Sequence, residues 1–125
     1  RYDAAGVAAG TEFQVNTFAT GAQTNSSVAA LNGGGFVVTW ESSAQDGSLN
    51  GIYGQRYDAA GAAVGSEFQV NTFTPSAQLY SSVAALAGGG FVVTWQGGGD
   101  HGGSTGIFGQ RYDAAGNVAS RSAWG

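Results

Sequence analysis

A chain of 125 residues has room for one small domain or a few sub-domain repeats and excludes a second large domain. Its four basic residues stand against eight acids, a net charge of −4, so it offers no basic face to phosphates or anionic lipids; nucleic acid binding and membrane insertion drop out. The absence of Cys removes disulfides, thiol nucleophiles and thiolate metal sites, and 23 Gly point to thin, closely stacked sheets rather than helical bundles.

Self-similarity organises everything else. Residues 1–55 and 56–110 align without gaps and are identical at 36 of 55 positions, and a third copy begins at Arg111 as RYDAAG before it decays. In chain order, RYDAAG (1–6) is a turn signal, with Asp and Gly in the places a tight turn needs. The EFQVNTF that follows reads as a strand over 12–18. Next come a strand of small residues over 27–31, the Gly33-Gly34-Gly35 hairpin, and a strand over 36–41 whose β-branched and aromatic residues fill both faces and place it centrally. A strand over 52–58 alternates Ile52, Gly54 and Arg56 against Tyr53, Gln55 and Tyr57. The same units return over 67–73, 82–86, 91–96 and 107–113, and the single Pro75 falls between strands, where a missing N–H does no harm.

Four short antiparallel strands in each 55-residue unit predict an all-β fold of β-propeller-like four-stranded blades, two repeats per chain. The division is then an N-terminal partial repeat with a lone outer strand (1–25), a first complete blade (26–80), and a second blade lacking its outer strand with a C-terminal stub (81–125). A lone strand and an unfilled blade edge are complementary, and an uncovered edge invites pairing. Residues Glu12, Phe13, Gln14, Val15, Asn16, Thr17 and Phe18 are therefore the expected self-association segment, completing the second blade of a neighbouring copy in a ring or a head-to-tail filament.

The string EFQVNT…SVAAL…GGGFVVTW…QDGS…GIYGQRYDAAG resembles a repeat found in tandem in very large secreted bacterial proteins of adhesin-like and repeats-in-toxin-associated type, over essentially residues 1–116. The resemblance implies blade-like folding, an extracellular or cell-surface location and an adhesive or structural role rather than a defined activity. It also implies acid- and glycine-rich loops near QDGS. Here each such loop carries a single acid, Asp46 in the first repeat and Asp100 in the second, so these two are the candidate calcium ligands.

Two further chemistries can be read from the residues. Trp40 and Trp95, followed by Glu41 and Gln96, with Tyr53 and Phe108 on the next strand, have the composition of a carbohydrate platform, an apolar ring face beside directed hydrogen-bonding groups. The alternative function is thus a lectin-like glycan-binding module. His101 beside Asp100 and Ser104 suggests a catalytic set, but neighbours on one Gly-rich loop are not held in fixed mutual orientation, and the mate of His101 in the first repeat is Asp46; no catalytic residue and no obligatory cofactor are expected. Arg1/Asp3, Arg56/Asp58 and Arg111/Asp113 recur with the fold, which predicts Arg56 against Glu67 on the adjacent strand and Asp58 capping its own turn.

Overall fold

The computed structural model describes residues 1–15, 23–43, 50–70, 78–98 and 105–119. Among these the chain is all-β, with seven strands in two antiparallel sheets and no helix. The first sheet is a meander of β1 (Gln23–Ala30), β2 (Phe36–Ser43), β3 (Asn50–Tyr57) and β4 (Ala63–Gln69), hydrogen-bonded in that order. The second repeats it with β5 (Gln78–Ala85), β6 (Phe91–Gly98) and β7 (Thr105–Tyr112). Neither sheet closes on itself, so the four-stranded and three-stranded antiparallel units are seen and a propeller ring is not.

Local chemistry sets the turns. Leu31 N–H donates to the Gly35 carbonyl at 2.8 Å and closes the β1–β2 hairpin around Gly33 and Gly34, whose φ of 90° and 96° suit glycine. The next residue, Gly35, has ordinary φ, but a Cβ there would collide with the Tyr57 carbonyl oxygen, so the triplet is glycine for two different reasons. After β3, Asp58 caps its own turn as expected, its Oδ1 accepting the N–H groups of Ala60 and Ala62 at 2.9 Å each. Asp3 and Asp113 build the same turn.

Three strand expectations shift. The first strand of each repeat starts earlier than expected, at Gln23 and Gln78, because a bulge centred on Asn25 (φ 54°) and Tyr80 (φ 56°) lets the ladder continue past the irregular residues. The outer strand β4 begins at Ala63 rather than Glu67, since the Asp58 turn returns the chain at once to pair Tyr57 with Ala63. Gln55 holds the bulge between these strands, donating to the carbonyls of Val64 and Gly65. The lone strand expected over 12–18 is not a strand at Glu12, Phe13, Gln14 or Val15, which enter no ladder with the strands of the first sheet; Asn16, Thr17 and Phe18 lie outside the described residues.

The core lies between the sheets. Val37 and Ile52 from the first sheet meet Val83, Phe91, Val93, Trp95 and Tyr112 from the second, with Val70 between them. Alternation along β2 explains the sidedness: Val37, Thr39 and Glu41 point toward the second sheet, while Phe36, Val38 and Trp40 point away from it.

Candidate functional site

Two sheets stacked through unlike faces make an interface with a front and a back, and its contacts are polar as well as apolar. The Glu41 side chain is 2% exposed and reaches across from β2. Its Oε2 accepts the backbone N–H of Tyr80 at 2.7 Å, in the bulge of β5, and the side-chain amide of Asn25 at 2.7 Å, in the mate bulge of β1. One carboxylate therefore ties the two bulges together, through a backbone N–H in one repeat and a side-chain amide in the other. Beside it the hydroxyls of Thr39 and Ser81 are 3.0 Å apart.

The arginines make the second set of links. Arg56 does not pair with Glu67; its guanidinium donates instead to the carbonyls of Ala114 and Ala115, at 3.1 and 3.0 Å, in the turn one repeat further on. Arg1 does the same to Ala59 and Ala60 at 2.7 and 3.1 Å. The corrected reading is a clamp between repeats. The DAAG turn presents two successive carbonyls, one to each terminal nitrogen of the guanidinium fork.

Aromatic rings form the third set. Phe68 of β4 packs against Tyr112 (centroids 5.4 Å) and Phe91 (6.4 Å) of the second sheet, and those two stack at 4.7 Å. Phe13 packs in the same way on Tyr57 at 5.3 Å, beside the stacked Phe36–Tyr57 pair. Residues 1–15 thus take the place, against the first sheet, that 56–70 take against the second. Burial pushes the Tyr112 phenol up to about 12, and it raises that of Tyr57 too, helped by the nearby charge of Glu67.

The expected carbohydrate platform is placed differently. Trp40, Tyr53 and Trp95 are 3%, 5% and 8% exposed and offer no open ring face; Trp95 donates its indole N–H to Gln78 and stacks with Phe108 at 6.4 Å. Glu41 is spent on the latch between repeats, and Gln96, its mate, sits half-buried on the outer face of the second sheet. Asp46, Asp100, His101 and Ser104 lie outside the described residues, and among the described residues no group of three or more His, Asp or Glu is placed to hold a metal ion. No helix among them is long and apolar enough to cross a membrane.

What the residue patterns did not reveal is the pair of outer faces. Ile52 is fully buried, yet its mate Ile107 is 76% exposed; Val83 is 8% exposed and its mate Val28 64%. Thr39 and Thr94 differ likewise, and Arg111, mate of the clamping Arg56, is exposed. The signal was present in the period itself, because a residue that serves the contact between repeats must have a mate on an outer face. No family model, curated protein or solved structure matches the chain.

Proposed function

We propose that this chain is a non-enzymatic structural and adhesive repeat module of an extracellular or cell-surface bacterial protein, built from propeller-like blades that associate with further copies of themselves. The observation that carries the reading is the contrast between repeat mates, above all buried Ile52 and exposed Ile107. Residues spent on stacking one repeat on the next are presented again, unspent, at both outer faces, which is the economy of a stacked-repeat protein. A contact through unlike faces is heterologous, so it closes into a ring, as blades of a propeller do, or runs on as a filament. The exchange of residues 12–18 belongs to the same reading, with Phe13 already seated on Tyr57 as Phe68 is on Tyr112. Carbohydrate and calcium remain secondary proposals, since the Trp rings are buried and each loop near QDGS brings one carboxylate.

Light scattering over a range of concentrations tests it. The expected result is a mass above the single-chain 12.5 kDa, either a fixed multiple or one that grows with concentration. A mass of one chain throughout overturns self-association.

A further inference from the structure

Resting on that reading, the geometry points to one specific contact: the outer face of the second sheet docks on the outer face of the first sheet of another copy, in the register of the internal interface. Thr94 then meets Ser26, Gln96 reaches the Asn25 backbone N–H, and Ile107 enters a cavity beside Trp40. The argument is a translation by one repeat. Within the chain, Thr39 meets Ser81 at 3.0 Å and Glu41 takes the Tyr80 N–H at 2.7 Å. Their mates are Thr94 with Ser26 and Gln96 with Asn25, and the receiving bulges have the same backbone, φ 54° at Asn25 and 56° at Tyr80.

The cavity agrees with this register. It holds about 190 Å³ on the outer face of the first sheet and is lined by Val15, Gln23, Asn25, Ser26, Val38 and Trp40, among others. The mates of four of these, Val70, Gln78, Val93 and Trp95, are all under 9% exposed, covered by the first sheet with Ile52 in the same apolar cluster. What fills the corresponding space inside the chain is therefore the residue whose mate is Ile107. Among the described residues the buried indole N–H of Trp40 has no partner, whereas that of Trp95, on the covered sheet, bonds Gln78 at 3.0 Å. Gln96 replaces Glu41 at the docking edge, so a carbonyl oxygen and not a charge is buried on contact, which lowers the desolvation cost.

One contact in this register is contested. Arg1 already holds the Ala59 and Ala60 carbonyls that Arg111 of an incoming copy would take, and residues 1–9 and 111–119 build the same hairpin, bridged Tyr2 to Ala8 and Tyr112 to Val118. Docking displaces one hairpin or the other, so assembly proceeds by exchange of like for like.

The chain has no Cys, which makes a cross-linking test clean. Full-length Thr94→Cys chain is mixed with Ser26→Cys chain under mild oxidation while light scattering follows assembly. A Thr39→Cys/Ser81→Cys variant, closing a bond within one chain, serves as the geometric control. The expected product is the mixed disulfide in large excess over either homodimer, and Ile107→Asp weakens assembly at least about tenfold, because it brings a charge to an apolar site. Assembly that persists with a statistical mixture of disulfides, or that ignores Ile107→Asp, overturns the register and leaves self-association standing. A one-chain mass for the unmodified protein overturns both.

Discussion

The internal interface and the outer faces are made of the same residues in different company. Thr39 and Thr94, Ile52 and Ile107, Arg56 and Arg111 stand on matching strand positions with matching neighbours along the chain. Local sequence therefore cannot explain why the first of each pair is covered and the second is not. Burial here is a property of having a next repeat, and the free energy of each contact belongs to the interface between units. The comparison also separates two kinds of identity. Gly33 and Gly88, or Asp58 and Asp113, do the same work in both repeats because their partners lie within one turn. Residues with partners across the sheets do their work only where a neighbour exists.

The sharpest way to break the comparison is to cut the same side chain twice. Ile52→Ala removes a fully buried chain from the cluster shared by both sheets and should cost about 2–5 kcal/mol in chemical denaturation. Ile107→Ala, at a site 76% exposed, should stay within about 0.5 kcal/mol in dilute solution. Equal effects would mean that the sheets do not support one another. Glu41 gives a polar version of the same experiment. Glu41→Ala leaves the Tyr80 N–H without its acceptor inside the interface and should cost about 1.5–3 kcal/mol, while Gln96→Ala should be close to neutral. If Gln96→Ala proved the more damaging, the assignment of Glu41 as the latch between repeats would fail.

These asymmetries show which part of the structure the sequence reveals. The all-β class, the hairpin at the Gly triplet and the Asp58 cap were legible because each depends on residues a few positions apart. The start of β4 was not, since Ala63, Gly65 and Ser66 have weak strand preference and pair only because the turn delivers them to β3. Arg56 was misjudged for a related reason: Glu67 is a near neighbour with opposite charge, whereas Ala114 and Ala115 offer only backbone carbonyls and lie far along the chain. Trp40 and Trp95 share the composition of a sugar platform with that of a core, and nothing in their local sequence says that Trp95 joins the cluster between the sheets while Trp40 lies on the opposite face beside Val15 and Gln23.

An alkaline titration sharpens the comparison through the tyrosines that close each sheet. Tyr112 is 4% exposed and keeps its proton to about 12 because burial disfavours the phenolate, against an ordinary value of 10.0. The contribution is complete below pH 10, where both folded and unfolded chains hold the proton. Above it the unfolded chain ionises first, so stability falls as pH rises from 10 to 12, by about 2 kcal/mol for this group. Tyr57 adds a loss of the same sign. Denaturation curves at pH 9 and pH 12 should therefore separate, and Tyr112→Phe should narrow the gap; an unchanged gap in that variant would place the titrating group elsewhere.

The smallest effect concerns the arginine clamp, and it probes whether repeats are coupled through their turns at all. Arg56 spans from β3 of the first sheet to the turn after β7, donating to two carbonyls that face outward. These bonds lie near solvent, where water competes, so Arg56→Ala should cost only about 0.5–1.5 kcal/mol. Arg111→Ala should cost nothing measurable in dilute protein, since among the described residues its guanidinium meets no partner. Arg56→Lys discriminates further. A single ammonium cannot satisfy both Ala114 and Ala115 with the geometry of a fork, so Lys should recover less than half of the loss if the paired bonds matter and nearly all of it if charge alone does. Amide exchange in residues 113–117 gives the local readout. Their protection should fall in Arg56→Ala while that of the mate turn at 58–62, held by Arg1, stays as it is. Loss of protection in both turns together would show that the clamp acts through the whole fold, and the turns would then not be independent links in the stack.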